Sequence, residues 1–481
     1  MLIWLILIPV LAAACIGLLK APGRLTAGIS AVLTLILGLT AIVLPESCAD
    51  CLSTFGETPM QFTLALPFSK IMVLLTVLVT FAAIIGMKAP DKNAERSWAI
   101  SALLISTGAM GAFMSNNIIA FYGFHELALI PTFVMIGCYG RGDRRTTAWT
   151  ATLYLGVASM VLLAGLLILC AEMHAWSFTD MYAAVQNGIT PSSPVLISGL
   201  LLAGFGTLVS LFPFHSWAAP AYASAPTPIA MLHAGVLKKF GLYGLFTLAA
   251  VFGPHCYALF GAWNNVLLVL LLGNVLWVGY VTICQTRLDD MLGNSSVMHM
   301  GYIFLAFATL VYSNGTNNIA ADGAAMLMLA HGLTIALLFL LTGQIESQTK
   351  TLELDSMGGL AQKLPTLGFF FGLAGLASIG LPLLANFAGE FAIFFSTFIG
   401  WQPTTDCLCT SLGPVQICVI FALWGLVISA VYMLRAFRRI FEADVAYTAE
   451  RATKLTACDI IAAAFLAFFI VFLGILPPSC L

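Results

Sequence analysis

His233-Ala234-Gly235-Val236-Leu237-Lys238-Lys239-Phe240-Gly241 sets two adjacent lysines in the middle of an apolar run that extends from 227 to 251. A run of that length covers the roughly 30 Å of hydrocarbon in a bilayer. A charge held at mid-bilayer costs about 2.5–3.5 kcal/mol on the insertion scale, so lysines there need a reason. The surrounding chain fits the same reading. Its 481 residues are 60% hydrophobic and only 8% charged, with a mean hydropathy of +1.01. Soluble domains carry roughly 25% charged residues, so a cytosolic enzyme and a disordered chain are excluded. A net charge of −2 offers no basic face to a phosphate backbone, which excludes a nucleic-acid partner.

Comparable apolar runs recur throughout. Fourteen are read as spans, near 2–19, 25–44, 69–88, 98–114, 117–138, 147–170, 195–213, 227–251, 259–284, 292–312, 321–343, 366–398, 415–436 and 457–477. They do not alternate as strands of a barrel would, so the fold class is an all-α integral membrane protein in lipid. The first run lacks a basic leader and a small-residue cleavage site, and is read as a retained helix. With the N-terminus outside and the spans alternating, 16 of the 19 Lys and Arg residues fall on one side. That is a strong positive-inside pattern, and it puts both termini on the outer face. The outer loops 45–68 and 399–414 hold Cys48, Cys51, Cys407 and Cys409. Disulfides on an oxidising face, a four-ligand zinc site and plain thiols all stay open there. Cys15, Cys138, Cys170, Cys284 and Cys418 lie in spans and behave as small apolar residues.

Two spans carry proline interruptions. One runs into Phe212-Pro213-Phe214-His215-Ser216-Trp217, and the other contains Gly380-Leu381-Pro382 followed by Asn386-Phe387-Ala388-Gly389-Glu390. Proline removes a backbone donor, and a broken helix survives in lipid only when buried or lining a wet cavity. One such break in each part of the chain suggests repeats with a conduction path between them. The expected division is three N-terminal helices (1–97), a first repeat (98–251), a second repeat (252–440) and a C-terminal helix (441–481).

Ionisable side chains inside spans are few, and the ones singled out are Glu126, Lys238, Lys239, His299, His331 and Glu390. Burial and neighbouring charge bring carboxylates and lysines within reach of neutral pH, where histidine already titrates. Bridged by water, such a row forms a proton wire. The blander readings are a Glu–Lys staple between helices and histidines that merely bond carbonyls. His125 and His215 are read as structural. Adjacent lysines on a helix point about 100° apart, so only one of Lys238 and Lys239 faces a given line.

Six stretches in order resemble the antiporter-like proton-translocating subunits of the membrane arm of respiratory complex I, and most of all their M-type (chain 4) branch. They are Phe121 to Pro131, Phe212 to Trp217 with Ala225 to Pro228, Ala234 to Gly244, Asn294 to Gly301, Ala330 to Leu333, and Gly358 through Phe391. The resemblance implies about fourteen helices in two inverted five-helix repeats, with helices 7 and 12 broken. It also assigns roles: Glu126 as the helix-5 acid, Lys239 as the central lysine, His299 and His331 as the central histidines, and Glu390 as the terminal acid. It implies that redox chemistry with NADH, FMN, iron–sulfur clusters and quinone resides in other subunits, that this chain binds no cofactor or metal, and that its partners are the other membrane-arm subunits in a bacterial inner membrane.

One departure stands out. Where the resemblance implies a helix-7 lysine, this chain has Leu208. Lys238, an additional lysine relative to the motif, is expected to replace that lysine in part as the partner of Glu126. The competing functions are a subunit of a multisubunit cation/proton antiporter, the membrane module of a hydrogenase, and a scaffold that conducts nothing, for which Leu208 is the best argument.

Overall fold

The structure is a computed structural model that describes residues 1–43, 50–55, 58–399, 412–444 and 453–477. Cys48, Cys407, Cys409, Arg451 and the side chain of Cys51 lie outside what is described, and with them the outer-loop cysteine readings.

The chain starts with α1 (Ile3–Leu18) and α2 (Gly23–Val43), followed by an antiparallel hairpin of β1 (Asp50–Phe55) and β2 (Thr58–Phe62). Next come α3 (Ser69–Ile85), α4 (Lys92–Met114), α5 (Ile118–Tyr139), α6 (Arg144–Met173), the short α7 (Phe178–Gln186) and α8 (Pro194–Val209). The middle holds α9 (Ala218–Ser224), α10 (Thr227–Gly235), α11 (Phe240–Phe252), α12 (Cys256–Leu272), α13 (Gly279–Cys284), α14 (Leu288–Tyr312) and α15 (Asn318–Thr349). The last part comprises α16 (Leu360–Lys363), α17 (Pro365–Ile379), α18 (Ala385–Ile399), α19 (Pro414–Ala422), α20 (Trp424–Phe437) and α21 (Ala457–Ile475).

Every apolar run read from the sequence has become helix, with interruptions at the expected prolines. Among the described residues, nine helical stretches are long and apolar enough to cross a bilayer, and five shorter apolar helices accompany them. Short polar residues start these helices. Asp91 accepts from the N–H groups of Asn93 and Ala94 at the head of α4, and Asn117 accepts from Ile119 and Ala120 at the head of α5. Such caps satisfy backbone donors that lipid cannot.

The centre of the molecule is α14 and α15, which are buried along most of their length. Six helices, α3, α10, α14, α17, α18 and α21, pack around α15. At 32 residues this helix is about 48 Å long, well beyond the roughly 30 Å of hydrocarbon it crosses. Gly389 lets α18 close on it: a Cβ there would meet the Leu327 backbone at 2.7 Å.

The two proline interruptions are held differently. In the first, α8 ends at Ser210 in the left-handed region (φ 68°), and the chain turns through 211–217 before α9. Asn274 accepts from the Phe212 N–H at 2.6 Å and donates to the carbonyls of Ser210 (3.1 Å) and Val297 (3.0 Å). The Trp217 indole donates to Thr207 O at 3.1 Å and ties the turn back to α8. Asn274 itself sits in a π-helical turn, Gly273–Val278, that joins α12 to α13. In the second interruption α17 ends at Gly380 (φ 83°), and its own backbone closes the turn, Gly380 N–H to Ala377 O at 3.0 Å and Leu381 N–H to Leu376 O at 3.2 Å.

Candidate functional site

The lysine segment is not plain α-helix. Leu237–Lys239 forms a single 3-10 turn between α10 and α11. Both lysines are buried, 1% and 0% exposed, and residues in such a turn splay about 120° apart. Lys239 Nζ turns back to donate to Ala234 O at 2.6 Å. Lys238 Nζ points the other way, toward α14, and donates to Ser296 Oγ at 3.3 Å while lying 5.3 Å from the centre of the Tyr222 ring.

From Lys238 the polar groups continue in sequence. Ser296 Oγ is 3.3 Å from His331 Nε2 on α15. The rings of His331 and His299 lie 5.2 Å apart, centre to centre. His299 Nδ1 is 3.5 Å from Glu390 Oε1 on α18. The other ring nitrogen of His299 hydrogen-bonds the Tyr432 hydroxyl at 3.3 Å, and that hydroxyl is 2.7 Å from Ser295 Oγ. Tyr432 on α20 and Glu390 therefore hold the two sides of one imidazole. A Cβ added at Gly380 would collide with Glu390 Oε2, so the glycine that ends α17 also makes room for the carboxylate.

The helix-5 acid lies elsewhere. Glu126 is on the flank of the chain with 35% of its side chain exposed, whereas Glu390 is 3% exposed. Ser159 on α6 donates to Glu126, and His125 Nδ1 lies 3.6 Å from its Oε1. Glu126 also lines a cavity of about 170 Å³ that reaches His233 on α10. His233 is 2% exposed, and its ring packs on Trp217 and Tyr222, 5.6 and 5.2 Å between centres. A second, larger cavity of about 440 Å³ is lined by Lys88, Arg141, Glu346 and Lys350 among others. Two ion pairs fix its wall, Arg141 to Glu346 at 2.6 Å and Lys88 to Asp459 at 2.7 Å.

The structure thus brings Lys238, His331, His299 and Glu390 into one line, sets Lys239 beside its head, and leaves Glu126 apart. Among the described residues Lys238 and Glu126 form no direct ion pair: the ion-pair partner of Glu126 there is His125, and the ammonium of Lys238 is bonded to Ser296. The 3-10 turn sends Lys238 toward α14 rather than α5. Ser296 and Tyr432, which link the charged groups, carry no charge and so escaped a search by ionisable residues. His233 and Asn274 are polar residues within long apolar runs, and that anomaly was the available signal.

A family model described as "NADH:quinone oxidoreductase/Mrp antiporter, TM" matches residues 115–412. A Rickettsia prowazekii protein named NADH-quinone oxidoreductase subunit M is 28% identical over 411 residues, covering 85% of this chain and 79% of that one. A Microcystis aeruginosa protein named NAD(P)H-quinone oxidoreductase chain 4 2 is 31% identical over 374 residues, covering 78% of this chain and 64% of that one. In the solved structure of respiratory complex I from Thermus thermophilus, one chain superposes with a TM-score of 0.86 at 24% identity, covering 99% of this chain and 96% of that one.

Proposed function

The chain belongs to the NADH:quinone oxidoreductase/Mrp antiporter transmembrane family, and from that premise we propose that it is a membrane-arm subunit of an NADH:quinone oxidoreductase that couples quinone reduction to proton translocation. The observation that carries this reading is the buried line Lys238, Ser296, His331, His299, Glu390, whose successive hydrogen-bond and ion-pair contacts are 3.3 to 3.5 Å apart except for one 5.2 Å step between ring centres. Burying that many titratable groups is costly, and groups of this kind inside spans mark ion and proton pathways. Serine and tyrosine hydroxyls both donate and accept, so they pass a proton without holding charge. The 5.2 Å imidazole step is within reach of one bridging water.

The 440 Å³ cavity serves as the inner entrance, and Glu390 hands the proton toward the outer face. A change of charge near Glu126 and Lys239 alters the proton affinity of the groups that follow, which is how work done elsewhere in the assembly enters this chain. Glu126, Lys238, Lys239, His299, His331 and Glu390 are the proton-handling residues in this reading. The division at 97, 251 and 440, the fourteen crossings with inverted repeats, and termini on the outer side of a bacterial inner membrane belong to the same proposal. So do the neighbouring membrane-arm subunits as partners, and flavin, iron–sulfur and quinone chemistry in other chains.

Replacing Glu126 with Gln in the assembled complex, with quinone reduction and proton uptake measured in sealed vesicles, tests it. Loss of most coupled proton uptake supports the proposal. Unchanged uptake favours a scaffold, and sodium-dependent exchange without quinone reduction favours an antiporter.

A further inference from the structure

Neighbouring residues on a helix do not face each other, yet His125 and Glu126 do: Nδ1 and Oε1 are 3.6 Å apart. The imidazole is held in that place from behind. It lies flat on Phe240, 3.8 Å between ring centres and 15° between planes, and Phe240 lies in turn on Phe121 at 4.3 Å. Phe240 is the residue after Lys239 and the first of α11, so the stack ties the acid of α5 to the segment that carries both lysines. His125 is 3% exposed, and its Nδ1 has no hydrogen-bond partner among the described residues. Among those residues it is also the basic side chain within 4 Å of Glu126. Helix α8 supplies no cation in the segment packed here, where Leu208 is apolar and buried.

We propose that His125 is the counter-charge and proton partner of Glu126. As an imidazolium it holds the carboxylate against the bundle. When the proton leaves Nδ1 and binds Oε1, one cation and one anion become two neutral groups, the net charge is conserved, and the attraction between the side chains is gone. The carboxylic acid is then free to turn toward the cavity that it shares with His233. The pair is a local on–off ion pair that replaces a partner on a separate helix.

This inference rests on the proton-translocating reading above, and the test separates the two. In the assembled complex, His125→Phe keeps a ring on Phe240 and removes both nitrogens. It is expected to slow coupled proton uptake about tenfold, less than the roughly 10²–10⁴-fold worth of a positioned acid or base, because Glu126 remains. The His125→Phe/Glu126→Gln double variant is expected to be no slower than Glu126→Gln alone, the non-additivity of groups that act as a unit. The infrared carboxyl band that Glu126→Gln removes is expected to move in His125→Phe, a readout that a purely packing role would not shift. His125→Gln provides the same comparison should the ring variant fail to assemble. Wild-type uptake and an unmoved band in His125→Phe, with Glu126→Gln defective, would overturn this assignment alone. Wild-type uptake in both single variants would overturn the translocation reading with it.

Discussion

Glu126 and Glu390 each face a histidine nitrogen at nearly the same distance, 3.6 and 3.5 Å, yet they are built into the molecule differently. The histidine of Glu126 is its neighbour on α5, and the carboxylate is one-third exposed at the flank. The histidine of Glu390 comes from another helix, is itself fully buried, and is one of a row that reaches back to Lys238. The contrast shows what depth demands. A flank acid can be balanced by one local partner and by whatever covers that flank. An acid at the centre must be reached through groups from several helices, because no solvent is present to complete its hydrogen bonds.

The comparison breaks most severely at His299. His299→Phe breaks the link that His299 makes between His331 and Glu390 and is expected to slow proton translocation by about a hundredfold, within the range for a lost proton-transfer group; proton uptake in vesicles checks it. A variant that pumps normally would make the central row no more than packing.

The supports of the two interruptions come next. Asn274→Leu strips partners from the Phe212 N–H and from the carbonyls of Ser210 and Val297, at a cost of about 1–3 kcal/mol for each group left unsatisfied. It should lower the melting temperature of the assembled complex and open the first interruption to proteolysis while leaving the second intact. Gly380→Ala acts on the other one. A left-handed alanine costs about 1–2 kcal/mol, and its Cβ falls on the Glu390 carboxylate. Translocation should therefore suffer more than stability, measured as uptake against melting temperature on one preparation. Ser159→Ala is the mildest change. It removes one donor to the Glu126 carboxylate, worth about 1.5 kcal/mol at the low end for a charged acceptor, and should change uptake no more than the roughly tenfold expected of His125→Phe. A larger loss would mean that the flank acid depends on α6 more than on His125.

Much of this was legible in the sequence, for a physical reason. Lipid demands long apolar runs, and it makes each charge within them conspicuous, so the helices, both interruptions and the ionisable residues stood out from composition alone. What did not stand out were groups whose role depends on local backbone geometry. The 3-10 turn at Leu237–Lys239 sends Lys238 to Ser296 rather than to Glu126, and no periodicity argument anticipates a single tightened turn. His125 was read as structural because it stands beside another candidate, Glu126, and only the stack on Phe240 shows what turns it toward that acid. Asn274 looked like one polar residue in an apolar run. Its work became visible once the broken backbone of Ser210 to Phe212 was found against it.

The central claim is that protons cross along the row ending at Glu390. The most direct test is the number of protons moved per NADH oxidised by the complete complex in sealed vesicles, wild type against Glu390→Gln. The account predicts that the ratio falls while the complex stays assembled, because the amide cannot receive and release the proton that His299 delivers. An unchanged ratio in the variant would contradict it.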